Sequence, residues 1–440
     1  MAKPDPPAVA AARAGTAAKT ASLASETRPR VLILGGGFGG LYAAKTLANK
    51  DVDVTLVDRR NFHLFQPLLY QVATGTLSPG DIAFPLRSAL KKARNVRVLM
   101  GEAVDLDAKE RCVCLADGTR LPYDTLVVAL GSTHSYFNHP EWEAFAPPLK
   151  SLEDALEMRR TIFCAFEQAE LEPDPEKRKE LLTFAIIGGG STGVELAGTL
   201  AEIARETLRE DFRSFDPRTT RILLIETAKR LLPGYPEKLS AAARRSLEAL
   251  GVEVLTGTSV TAIEDDHVVV EAPLQVETIP CRTTLWAAGV GSSPFALVLQ
   301  RTLGCDLDRG RVVVGSDLAV AKRPEVFVVG DLSAHPDKLP GVAQVAIQGG
   351  QHAARSILRG SRTAFRYRDK GNLSVIGRNR AVADIGRFEF AGFFAWLVWA
   401  VVHIAYLIGF QSKVLVMFQW AWNYLFFNRS ARLITESPEA

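Results

Sequence analysis

Gly35, Gly37 and Gly40 fit the pattern G-x-G-x-x-G. They follow a short apolar run, Val31 to Leu34, that reads as a buried parallel strand. A helical stretch from Leu41 to Ala48 comes next, then a second strand, Val54 to Val57, ending in Asp58, 23 residues after Gly35. In that context each residue has a task. One glycine allows the tight turn, one lets the backbone approach a pyrophosphate, and one lets helix and strand pack closely. The helix N-terminus attracts phosphate, and the acid accepts from a ribose hydroxyl. The pattern recurs. Thr183 to Ile187 leads into Gly188, Gly190 and Gly193, with Glu195 two residues on, and a strand from Arg221 to Ile225 ends in Glu226. The second loop-to-acid spacing, 38 residues, exceeds the usual ~20. The excess falls in a charged stretch, 202–218, that is expected to be helical. An acid at Glu226 repels a 2′-phosphate, so NADH is favoured over NADPH. Two loops beginning 153 residues apart suggest two dinucleotides, most economically one bound as FAD and one arriving as NADH.

Further strands end in glycine. Thr125 to Leu130 runs into Gly131, Thr284 to Ala288 runs into Gly289, and Val326 to Val329 runs into Gly330 and Asp331. Glycine there lets backbone approach a cofactor closely, and the aspartate can accept from a polyol hydroxyl. No metal site is expected. Cys112 and Cys114 form C-x-C, Cys164, Cys281 and Cys305 stand alone, and no C-x-x-C occurs.

These residues need a large scaffold to position them. The chain has 440 residues, 47% hydrophobic and 23% charged, which excludes a mainly disordered protein and allows two or three domains. A net charge of +3 excludes a chain that is polybasic throughout, and no nucleic-acid partner is expected. Five scattered cysteines fit a reducing compartment. Residues 1–29 lack a signal-length apolar run and are expected to form a disordered extension, with a cleaved presequence as the alternative. Near the other end, Phe390 to Phe410 is 21 residues without formal charge, long enough to be a transmembrane candidate. A second uncharged run, Val414 to Phe427, is too short to span. Trp396, Trp399, Trp420 and Trp422 suit an interfacial belt. Upstream, residues 355–387 hold nine basic residues against two acids, a match for anionic head groups. A helical hairpin buried in a dimer interface is the water-soluble alternative.

The double glycine loops, the paired strand endings and the late Gly-Asp resemble the flavoproteins with two dinucleotide-binding domains. Within them the chain resembles the type II NADH dehydrogenases, single-subunit NADH:quinone oxidoreductases that do not pump protons. The specific stretches are His63-Leu64-Phe65-Gln66-Pro67-Leu68-Leu69-Tyr70-Gln71-Val72-Ala73-Thr74-Gly75, Asp211-Phe212-Arg213, and Ala343-Gln344-Val345-Ala346-Ile347-Gln348. The resemblance implies an α/β fold of two Rossmann-like domains plus a C-terminal membrane-attaching helical segment. Residues 30–150 and 285–370 would form the FAD-binding domain, 151–284 the NADH-binding domain, and 371–440 the membrane-association region.

Site residues follow by the same route. Gly35, Gly37, Gly40, Asp58 and Asp331 would hold FAD, with Gly131, Gly330 and Ala346 beside it. Gly188, Gly190, Gly193 and Glu226 would hold NADH. Gln344 and Gln348 would border flavin and quinone, and Glu195 would lie near nicotinamide and quinone. The chemistry suits those types. Amides donate to quinone oxygens as charge develops there, and a carboxyl can relay protons. A helix N-terminus lowers the Glu195 pKa while burial raises it, and residue types do not decide between them. Where many members read A-I-Q-Q-G, this chain has Gln348-Gly349-Gly350, losing one amide. The implied partners are ubiquinone or menaquinone and a bilayer surface, with the chain lying flat on the cytoplasmic face of the inner (plasma) membrane as a homodimer. Two rivals remain. Sulfide:quinone oxidoreductases relay sulfur through paired cysteines, and no cysteine here adjoins a glycine loop or Gly330-Asp331. A non-enzymatic redox sensor is the other.

Overall fold

A computed structural model describes residues 28–426 and 431–434, so most of the 1–29 extension lies outside the described residues. The apolar run at the first loop forms the strand Arg30–Leu34, inside a six-stranded sheet. Its parallel neighbours are Asp53–Asp58 and Thr125–Val128. Val96–Met100 and Arg323–Val328 extend the parallel order on either side, and the short antiparallel strand Ala319–Val320 closes one edge. The chain thus returns to this sheet after about 200 residues. The central strands are buried on both faces, which explains their continuous Val, Leu and Ile.

A second sheet orders Val252–Thr256, Arg221–Glu226, Thr183–Ile187 and Thr283–Trp286, all parallel. The expected boundary at 284–285 therefore cuts a strand, and the second unit runs to Trp286. The two units join at a short crossover, where Ser132–His134 pairs antiparallel with Val290–Ser292. The two strand-ending glycines each precede one of these strands and stand at opposite ends of the pairing. Gly131 and Gly289 take φ of +66° and +68°, and a side chain on Gly289 would overlap the Ser135 carbonyl.

Three readings of local structure are revised. The first loop helix runs Phe38–Leu47, beginning inside the glycine loop. The 202–218 stretch is mostly irregular, with one π-helical turn, Ile203–Thr207, and a short 3₁₀ turn at Pro217–Thr219. The region after 370 opens with a three-stranded antiparallel sheet, Asn372–Gly377, Arg380–Ile385 and Phe388–Ala391, before any helix.

The long uncharged stretch does not form one helix. Within it Phe393–Tyr406 forms a surface helix, the chain breaks at Leu407–Gly409, and a second surface helix, Phe410–Phe426, starts at its last residue. Gly409 adopts φ +89° and sits against the Phe84 ring. Among the described residues no helix is long and apolar enough to cross a membrane. One face of each surface helix is buried, through Ala395 and Trp399 and through Ser412 and Val416. Ala395, Trp399 and Val416 join an apolar core continuous with Val194, Val375 and Val382. The other face exposes Phe394, Leu397, Val401, Phe410, Phe418 and Trp422.

Candidate active site

Both glycine loops end in bare helix N-termini. The first loop helix has Gly37 at its N-cap and the second, Ser191–Glu202, has Gly190. Neither carries a side-chain cap or an acid in its first turn. By contrast, the helix Leu152–Leu171 is closed by Ser151 and Asp154 in a capping box. Uncapped amides and the helix dipole leave a place for phosphate. The glycines fit that use. A side chain on Gly40 would overlap the Gly35 carbonyl, and one on Gly193 would overlap that of Gly188, so both hold the loop against its helix. Positions 37, 131 and 190 instead face open space.

The strand-end acids brace these loops. Asp58 accepts from the amides of Gly36 and Arg60 at 2.6 and 2.7 Å. Glu226 accepts from Gly189 and Ala228 at 2.6 and 2.7 Å. Each carboxylate keeps lone pairs for ribose hydroxyls. Asp331 accepts from Ser132 at 2.7 Å, with the Lys150 ammonium 3.9 Å away. Gly330, at φ +74°, faces Ala346, whose carbonyl in turn lies against Gly39. Gly35, Gly37, Gly40, Asp58, Gly131, Gly330, Asp331 and Ala346 therefore gather around one cradle whose open amides, acid and small residues fit FAD. Ser132 and Lys150 belong to it too. Ser132 directly follows Gly131, and nothing local links it to Asp331, 199 residues away.

The helix Ala343–Arg359 carries the two glutamines, and they differ. Gln344 has a buried side-chain oxygen with no protein partner. Gln348 is engaged with the Arg368 peptide, donating to its carbonyl and accepting from its amide, both at 3.0 Å. These two bonds clasp the 361–370 segment onto the helix. Position 349 faces Leu318 and Val329 on the core side, so an amide there would not reach the Gln344 side.

Glu195 is buried in the second loop helix against the C-terminal sheet. Ser374 donates to it at 3.3 Å, and the Val375 amide also bonds it. Burial outweighs those bonds and pushes its pKa up to about 8, so the carboxyl is protonated at neutral pH. Ser374 lies 179 residues from Glu195, and no local motif links the two. The His63–Gly75 stretch is a docking face. Gln71 accepts from the Trp420 indole at 2.8 Å, and Phe65 meets His403 edge-on. The five cysteines are free thiols, and among the described residues no acid, His and Cys group is placed to hold a metal.

Residues 29–350 match the family described as pyridine nucleotide-disulphide oxidoreductase, and 370–429 match the NDH2 C-terminal domain. A type II NADH:quinone oxidoreductase of Mycobacterium tuberculosis is 45% identical over 421 residues, which is 93% of this chain and 91% of that protein. A solved structure of NDH2 from Plasmodium falciparum in complex with RYL-552 shares the fold. Its TM-score is 0.85 at 20% identity, over 93% of this chain and 100% of that one. A sulfide:quinone oxidoreductase from Aquifex aeolicus reaches 0.70 at 18% identity, over 93% and 94%. With two family matches and that identity along nearly its whole length, the chain belongs to the type II NADH:quinone oxidoreductases.

Proposed function

We propose that this chain oxidises NADH and reduces a membrane quinone, with the residues above in the following roles. Bound FAD supplies the two-electron exchange between the two substrates. The cradle of Gly35, Gly37, Gly40, Asp58, Gly131, Gly330, Asp331 and Ala346 holds and orients it. Gly188, Gly190 and Gly193 receive the NADH pyrophosphate, and Glu226 accepts from the ribose and repels a 2′-phosphate. Gln344 offers its amide to a quinone oxygen, and protonated Glu195 holds a proton for the quinol. Gln348 positions the 361–370 segment that flanks them.

The observation carrying this reading is the pair of uncapped glycine-loop helices, each braced by its own strand-end acid. The exposed apolar faces of the two surface helices support attachment to a bilayer surface. That face is the cytoplasmic one, where NADH is available, and residues 355–387 supply the cationic complement to it. The assembly is a homodimer, which light scattering of the detergent-solubilised protein tests. Anaerobic double-mixing stopped-flow tests the reaction. NADH should bleach the flavin absorbance and a short-chain quinone should restore it. Bleaching without recovery would remove quinone as the acceptor.

A further inference from the structure

Three segments far apart in sequence meet at one hydroxyl. The Lys370 ammonium donates to Tyr406 Oη at 2.7 Å and lies 5.4 Å from the ring centroid. The Gln344 side chain bonds the same hydroxyl, while its own oxygen remains buried and unpaired. Tyr42, from the first loop helix, lies close enough to interact electrostatically with Tyr406. Tyr406 is the last residue of the first surface helix, so this hydroxyl stands where the membrane-facing helices meet the helix beside the flavin cradle. The Lys370 end is exposed to water and the Gln344 end is closed off. The lead-in that carries Lys370 continues directly into Ser374, which holds Glu195.

We propose that Tyr406 is a second proton donor of the quinone half-reaction, with Lys370 restoring its proton from water. The proposal rests on the quinone reading above. A quinone becomes a quinol by gaining two electrons, drawn from NADH, and two protons. In the step assigned here the Tyr406 O–H bond breaks and a quinol O–H bond forms, leaving a phenolate. The adjacent ammonium stabilises that charge, passes it a proton, and takes one from solvent. Burial opposes the phenolate, but the Lys370 and Gln344 hydrogen bonds prevail and lower the Tyr406 pKa. The second proton is left to Glu195.

A purely structural contact, pinning the 361–370 segment to the surface helix, makes different predictions. The test uses the full chain with FAD bound, reduced by NADH and mixed anaerobically with a short-chain ubiquinone. Tyr406→Phe keeps the ring and should slow flavin reoxidation roughly 100-fold, the usual worth of a positioned acid, with bleaching by NADH at the native rate. Lys370→Arg supports the phenolate but cannot release a proton at working pH. It should keep the first turnover and slow steady-state turnover about 10-fold, in keeping with a lost proton relay. In ¹³Cζ-tyrosine spectra, the resonance missing from Tyr406→Phe should titrate at lower pH in the native chain than in Lys370→Gln. Native reoxidation rates in Tyr406→Phe would overturn the proposal, as would a tyrosine titration indifferent to Lys370. If reduced native protein ignores quinone altogether, the functional reading itself fails and the proposal falls with it.

Discussion

Glu195 occupies the second turn of a helix whose dipole favours its charge, yet desolvation decides its protonation. From its ordinary value of 4.5 up to about 8, the folded chain holds a proton that the unfolded chain has released. Stability therefore falls as pH rises through that window and levels off above it. Glu195→Gln removes the slope. Its melting temperature should rise above the native one increasingly from pH 5 to 8, by an amount equivalent to a few kcal/mol. Melts at a series of pH values check this, and a constant offset would count against a buried proton. His63 and His403 carry the opposite sign. Burial lowers both to about 4, so stability is lost as pH falls from 6.5 towards 4. The two glutamines separate as well. Gln344→Ala should slow reoxidation by quinone about 10-fold or more and spare reduction by NADH. Gln348→Ala should show its main effect as faster proteolysis of the 361–370 segment. At this scale the glycines and acids were legible because their spacing is local. The place of Glu195 near the substrates is what the family resemblance implies, but its protonation depends on Ser374 and Val375, which no local pattern pairs with it.

Glycine at 198 sets the distance between the second loop helix and the C-terminal sheet. A side chain there would overlap the Ile376 carbonyl, and backbone cannot rotate out of the way as a side chain can. Gly198→Ala should cost about 2 kcal/mol or more, read by denaturant melts, and should raise the exposure of Glu195. The same closeness recurs where Gly350 meets the Gly39 carbonyl, joining the glutamine helix to the first loop helix. Most strands and loops of the two sheets are readable from apolar runs ending in glycine or acid, whereas the edge strands Val96–Met100, Ala319–Val320 and Val252–Thr256 are not. The sheet at 372–391 was not, because its short strands carry Ser, Arg and Asp, and their partners are helices of another unit. The break at Leu407–Gly409 was hidden for a related reason. The helix stops where Leu407 turns to φ −59°, ψ 139°, and Gly409, at positive φ against Phe84, carries the chain into the second helix.

Across the molecule, the surface helices present one apolar face outward while sharing a core with the C-terminal sheet and the second loop helix. Replacing Phe394 and Phe418 with Glu should shift the chain from vesicle-bound to free by at least 10-fold in sedimentation assays, since both side chains are largely exposed. Melting temperature should change little, because neither packs inside the core. Unchanged sedimentation would mean that another surface makes the attachment. Carbonate extraction adds a separate check, with release at high pH expected of a surface-bound chain.

One feature of the C-terminal sheet bears on how such proteins can be recombined. The strand Asn372–Gly377 holds Glu195 through Ser374, and the Arg378 that follows it bonds Glu202 and stacks over Tyr424 of the second surface helix. The piece that selects a location is thereby the piece that tunes an acid in the other unit. A chimera that exchanges residues 370–429 between relatives would transplant proton chemistry along with the address, and grafting only the two helices would leave that chemistry with the recipient.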